Sequence, residues 1–251
     1  MHRLISMARR FCPPFPLVAL AWVLLFGGSS GAEAGGPEQW QAEIAKLVVD
    51  DAAHPPPRDA ALFVGSSSIR LWTTLAKDFP GVPTINRGFG GSAIADTTFY
   101  ADRIVVPYRP KLIVMYAGDN DIAEGRTSQQ VLDDFKAFVA RVRRDLPGVA
   151  IAYLSIKPSV ARAALWPRML AANEDIARWA GTQQGVIFVD VATKMLDAMG
   201  RPRPDLLRED GLHMRPAGYA IWIDALRPVL VSHGFAVSVP VRFVTPAAGR
   251  R

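Results

Sequence analysis

Leu62-Phe63-Val64-Gly65-Ser66-Ser67-Ser68-Ile69-Arg70-Leu71-Trp72 is the stretch on which the fold turns. Residues 62–65 form a short apolar run ending in glycine, the pattern of a strand buried on both faces. The chain then passes through three serines into a segment of helical spacing at 69–72, with no intervening linker. Four more runs of the first kind follow, at 84–86, 111–116, 150–155 and 186–190, each bounded by Gly, Pro or polar residues. Between and around them, residues 39–51, 93–104, 128–144, 168–183 and 216–230 carry helical spacing, with Ser128 and Pro216 as start signals. Alternation of this kind predicts an α/β fold, a five-stranded parallel sheet with helices on both faces. In such folds ligands sit beyond the carboxyl ends of the strands, so the loops after the strands carry the functional information.

Composition sets the outer limits. Of 251 residues, half are hydrophobic, 21% are charged, and Gly and Pro number 20 each, which excludes disorder, collagen and coiled coil for the whole chain. Residues 1–34 read as an export signal. Arg3, Arg9 and Arg10 stand without an acid, residues 15–26 are apolar apart from Pro16, and Ala32-Glu33-Ala34 supplies a cleavage site. The apolar run is shorter than the ~20 residues of a spanning helix, so no stable membrane anchor is expected after cleavage. Residues 35–251 are then expected to form one domain, with 232–251 as a C-terminal extension of no assigned role. Within that extension, 237–244 has the character of an edge strand interrupted by Pro240.

Cleavage after Ala34 leaves 26 basic and 22 acidic residues, a mild net charge of +4. The one dense basic run, Arg141, Arg143 and Arg144, falls on an amphipathic helix and reads as a solvated face, so no nucleic acid is expected as a partner. The single cysteine, Cys12, leaves with the signal, and a mature chain free of thiols suits an oxidising periplasmic or extracellular compartment. Nothing in the pattern sets an oligomeric state.

The loops after the strands offer four signals. A serine at the turn after 62–65 would have its hydroxyl exposed and its N–H at a helix start, which suits a nucleophile; an N-cap is the structural alternative. Asn86-Arg87-Gly88-Phe89-Gly90-Gly91-Ser92-Ala93 lets a ligand approach the backbone closely. It also fits G-x-G-x-x-A, but a dinucleotide site needs an acid at the end of the next strand, and that strand ends in Met115-Tyr116-Ala117. Gly118-Asp119-Asn120-Asp121 reads either as a turn or as the source of a neutral side-chain N–H donor; it fails the calcium-loop pattern, which requires a Gly at position six. Asp210-Gly211-Leu212-His213 supplies the one histidine with a close acidic partner in a loop at the expected edge. There the carboxylate is able to take the Nδ1 proton and leave Nε2 free as a base.

A hydroxyl nucleophile needs a base, an orienter for that base and donors aimed at the oxyanion, and these four loops supply each part once. With Gly65-Ser66-Ser67, Gly88 to Ser92, Gly118 to Asp121 and Asp210 to His213 in this order, the sequence resembles the SGNH (GDSL-type) hydrolase family over residues 39–233. The resemblance implies a three-layer α/β/α sandwich, flavodoxin-like. It implies Ser67 as nucleophile, Asp210 and His213 as its partners, Gly91, Asn120 and the Ser67 N–H as oxyanion donors, and no metal or organic cofactor. The family's Gly-Asp-Ser is Gly-Ser-Ser here, which leaves Ser66 and Ser68 as alternatives in register; Ser67 aligns when Gly65 is matched to the family glycine.

The expected activity is that of an exported serine hydrolase cleaving carboxylic esters or thioesters of small molecules or carbohydrate. The alternatives are an O-acetylesterase or acetyltransferase of envelope carbohydrate and a catalytically silent ligand-binding domain. Residues 72–79, 124–127, 160–166 and 195–208 are the candidate pocket walls; Trp72, Trp166, Arg201 and Arg203 there are candidate sugar or anion contacts, with ordinary packing and solvated surface as the commoner explanation.

Overall fold

A computed structural model describes residues 36–238. Residues 1–34, read above as an export signal, and residues 239–251 of the C-terminal extension lie outside the described residues. Five strands, β1 (Ala61–Gly65), β2 (Thr84–Gly88), β3 (Leu112–Tyr116), β4 (Ala150–Leu154) and β5 (Val186–Val189), form one sheet. Every pairing is parallel and the order is β2-β1-β3-β4-β5. The order reverses between β1 and β3, so the crevice at their carboxyl ends is the switch point at which such sheets bind ligands.

Nine helices flank the sheet among the described residues: α1 (Gln41–Ala53), α2 (Ser67–Arg70), α3 (Leu75–Asp78), α4 (Ile94–Phe99), α5 (Ala101–Ile104), α6 (Asp119–Ala123), α7 (Ser128–Asp145), α8 (Trp166–Ala180) and α9 (Pro216–Ser232). None of them is long and apolar enough to cross a membrane.

The strand side chains alternate between two cores, which is why the strands read as continuous apolar runs. Leu62, Val64, Ile113, Met115, Ile151 and Tyr153 pack with α1, α4, α5, α7 and α8 on one face. Phe63, Val114, Tyr116, Ala152 and Leu154 pack with α2, α3 and α9 on the other. The second core is aromatic at its centre: Trp72 stacks on Tyr219 at 4.9 Å and meets Trp222 edge-on at 5.8 Å. Offset and edge-to-face contacts of this kind add to the area that the rings bury.

Local departures from the sequence reading have local causes. The helix expected over 93–104 is two helices, because Tyr100 leaves helical geometry at φ −91, ψ 5. α7 starts at Ser128 as expected, with Thr127 as its cap. The Thr127 side chain accepts from the Gln130 N–H while the Gln130 side chain accepts from the Thr127 N–H, a reciprocal box that a cap at Ser128 would not form. α8 starts at Trp166, ahead of the expected 168, since Pro167 occupies a position in the first turn where no N–H is needed. The stretch after Gly118, for which a turn is one of the two readings, is the short helix α6. Val237 and Ser238 are not in a strand, and the rest of the expected edge strand lies outside the described residues.

Candidate active site

The turn after β1 is shaped by Gly65, whose φ of +126° is open to glycine, and a Cβ there would lie 1.9 Å from the Tyr116 carbonyl oxygen. That close approach allows the Ser66 N–H to donate to the same oxygen at 2.9 Å, stitching the ends of β1 and β3 together. α2 begins at once. Its first residue, Ser67, is half-buried, whereas Ser66 and Ser68 are buried. Of the three serines, it is Ser67 whose hydroxyl lies within hydrogen-bond distance of a histidine.

His213 Nε2 lies 3.1 Å from Ser67 Oγ across a separation of 146 residues, and His213 Nδ1 lies 2.7 Å from Asp210 Oδ2. The Asp210 Oδ1 atom accepts from the backbone N–H groups of Leu212 and His213, both at 2.9 Å. Partial burial works to raise the Asp210 carboxyl, but the hydrogen bonds from His213 and from these two N–H groups outweigh it and hold the carboxyl well below the ordinary carboxylate range. A fixed carboxylate on Nδ1 sets the tautomer with Nε2 as acceptor.

The three N–H groups expected as oxyanion donors are each open to a ligand. The Ser67 N–H is at the first position of α2, where a helix has no internal acceptor for it. The Gly91 N–H has no acceptor among the described residues. A Cβ on Gly91 would stand 3.7 Å from Asn120 Nδ2, so the glycine and the amide flank the same space. One Nδ2 hydrogen goes to the Ser92 carbonyl at 3.1 Å, leaving the second for a ligand. Ser67, His213 and Asp210 thus form one hydrogen-bonded line and Gly91 and Asn120 a second grouping, and the loop of Ala161 and Arg162 bonds to both sides, at Gly211 O and at Asn120 Oδ1.

The sequence did not disclose what supports them. Asp121, fully buried beside Asn120, accepts the Ile94 N–H at 3.0 Å and so ties α6 to the start of α4, just after the Gly91 loop. Asn86 does the same for α2, donating to the Ile69 carbonyl and accepting from the Gly88 N–H. Arg162, from the loop after β4, donates to Asn120 Oδ1 at 2.9 Å. Polar side chains next to glycine loops were the available signal, but their partners lie on other strands.

The expected wall residues are mostly placed otherwise. Trp72 is buried in the aromatic core, and Arg201 and Arg203 pair with Asp197 and Asp205. A cavity of about 460 Å³ does open beside Gly91, lined by Trp40, Asp96, Glu124 and Arg126 among others. A larger one, about 880 Å³, lies between Val48, Pro56 and Tyr108 and holds none of the site residues. Among the described residues no group of His, Cys, Asp or Glu is arranged to hold a metal.

Residues 60–221 match the model of the GDSL-like Lipase/Acylhydrolase family. Solved structures share the fold. A protein from Streptococcus pneumoniae, linked in its name to platelet activating factor, is 23% identical with a TM-score of 0.68, over 77% of this chain and 95% of that one. A GDSL-like lipase from Bacteroides thetaiotaomicron is 19% identical with a TM-score of 0.64, over 76% and 98%. A catalytic mutant of an acetylxylan esterase from Geobacillus stearothermophilus is 15% identical with a TM-score of 0.57, over 73% and 98%. No curated protein matches the sequence.

Proposed function

The chain belongs to the GDSL-like lipase/acylhydrolase family, and from that premise we propose that it is an exported serine esterase working through an acyl-enzyme, with Ser67 as nucleophile, His213 as base and Asp210 as orienter. The observation that carries this reading is the unbroken line from Ser67 Oγ through His213 to Asp210, at 3.1 and 2.7 Å. As Ser67 Oγ attacks the acyl carbonyl, His213 Nε2 takes its proton, and the negative charge moves to the carbonyl oxygen. The N–H groups of Ser67 and Gly91 and the free Nδ2 hydrogen of Asn120 stabilise that oxygen. His213 then hands its proton to the departing alcohol as the C–O bond breaks. Water repeats the sequence on the acyl-serine and releases the acid.

Export rests on the basic, apolar and Ala-x-Ala segments of residues 1–34, which suit a periplasmic or secreted protein. A carbohydrate O-acetyl ester is the alternative substrate, with hydrolysis or acetyl transfer as the outcome. The cavity beside Gly91 favours it, since an indole, three carboxylates and an arginine offer a platform and hydroxyl partners rather than an apolar acyl tunnel. The acetylxylan esterase that shares the fold points the same way. A silent binding domain is disfavoured by the accepting geometry of His213 toward Ser67.

The test is a mass-spectrometric map of fluorophosphonate labelling, run beside acetyl, long-chain acyl, thioester and acetylated-polysaccharide substrates. Labelling at Ser67 with turnover of short esters is expected. An unlabelled protein, or label on Ser66 or Ser68, would overturn the assignment.

A further inference from the structure

Beneath the oxyanion side of the cleft lies a buried charge cluster that the reaction sequence above does not use. Asp119, the neighbour of Asn120 in α6, has Arg162 Nη1 at 3.3 Å and Lys157 Nζ at 3.6 Å from the same carboxylate oxygen, Oδ2. Lys157 is fully buried, and the Asp119 and Arg162 side chains are 6% and 19% exposed. Two cations thus share one carboxylate in a place where unpaired charge is costly. Arg162 spends its other terminal nitrogen, Nη2, on Asn120 Oδ1.

The consequence concerns the orientation of the Asn120 amide. A guanidinium has no acceptor and a backbone carbonyl has no donor, so Arg162 on one side and Ser92 O on the other admit only one of the two flips. That flip directs the remaining N–H toward the space beside Gly91. In the opposite one, the carbonyl oxygen would face both the Ser92 oxygen and any developing oxyanion. A charged donor on the amide oxygen also polarises the amide, making its N–H the stronger donor. The loop that carries Arg162 is anchored to the base side of the site as well, since the Ala161 N–H donates to Gly211 O at 3.0 Å.

We propose that Arg162, held by Asp119, is a positioning residue of the oxyanion site, fixing and polarising the Asn120 amide that donates to the transition state. This rests on the serine esterase reading. It places the effect on kcat, because the charge that Asn120 meets exists only in the transition state.

The experiment is a double-mutant cycle on p-nitrophenyl acetate with wild type, Asn120→Ala, Arg162→Met and the double variant, and Arg162→Lys as the conservative replacement. Asn120→Ala lowers kcat by roughly 10²- to 10³-fold. Arg162→Met lowers kcat by about 10- to 100-fold with KM little changed, the scale of a lost charged hydrogen bond. In the Asn120→Ala background the same replacement changes kcat less than about twofold, and Arg162→Lys recovers part of the loss.

Wild-type kcat in Arg162→Met, or an equal loss in both backgrounds, overturns the proposal. If Arg162→Met does not fold, Arg162→Lys replaces it in the cycle under the same criteria. A wild type without turnover breaks the esterase reading instead. Arg162 is then judged by the Asn120 side-chain amide resonances of ¹⁵N-labelled protein, which shift in Arg162→Met if the arginine orients the amide and stay in place if it does not.

Discussion

Two polar groupings meet at the carboxyl end of the sheet, and they are built on opposite terms. The line Ser67, His213, Asp210 is partly open to water, with the Asp210 side chain 46% exposed, and each of its linking atoms has a partner at ordinary hydrogen-bond distance. The layer below, Asp119, Asp121, Lys157 and Arg162, is largely buried, and Asp119 Oδ1, Asp121 Oδ2, Lys157 Nζ and Arg162 Nη1 have no hydrogen-bond partner. Groups at the surface are satisfied by water and cost little to place. Charges that remain buried with incomplete partners weaken the fold, so their presence behind an oxyanion donor is better understood through what they do to that donor.

The contrast predicts that variants of the upper line lose rate and keep stability, while variants of the lower layer move stability and, at Arg162, rate as well. The largest effect is expected for Ser67→Ala, a fall of roughly 10⁵- to 10⁶-fold in kcat with an unchanged melting temperature. Residual hydrolysis near wild type, measured with short acyl esters, would shift the nucleophile elsewhere. Asp210→Asn is expected to lower kcat by about 10⁴-fold, because the amide supports the wrong histidine tautomer. Since the Asp210 carboxyl is held well below the ordinary range, it stays ionised through the acid limb of the rate profile, and that limb should be a one-proton limb. A two-proton limb would contradict the hydrogen bonding described here.

Asp121 sharpens the other half of the comparison. Burial pushes its carboxyl up to about 7 against an ordinary 3.8; the Ile94 N–H works to lower it and the Asp119 charge to raise it. Between these two values the folded chain holds a proton that the unfolded chain has released. Stability therefore falls as pH rises from about 4 to about 7, by up to about 4 kcal/mol, and levels off above. Asp121→Asn keeps the Ile94 contact without the charge and should flatten this slope in urea unfolding at a series of pH values. An unchanged slope would show that water reaches the carboxylate. The smallest effect is expected for Ser66→Ala. The Ser66 hydroxyl is buried without a partner, so its removal should change stability by less than about 0.5 kcal/mol in either direction and leave the rate untouched.

Much of this is legible in the sequence. Strand positions follow from apolar runs such as 111–116, because a strand buried on both faces needs no alternation, and the helices α7 and α9 follow from their spacing. Boundaries are less so. Tyr100 interrupts a segment that reads as one helix, and α8 begins two residues ahead of the expected 168. The sequence leaves Trp72 open between pocket wall and ordinary packing, and contact with Tyr219 and Trp222, some 150 residues on, decides for packing.

The sequence by itself determined the alternation of elements, the loops that carry chemistry, and the pairing of Asp210 with His213, because propensity, periodicity and a three-residue spacing act over a few neighbours. Only the tertiary structure decided that Ser67 rather than Ser66 or Ser68 meets the imidazole, and that Arg162 and Asp119 stand behind Asn120. Those choices depend on a few ångströms and on which way a side chain turns after distant strands have paired. No local pattern encodes such distances; they emerge when the parallel sheet brings its carboxyl ends together.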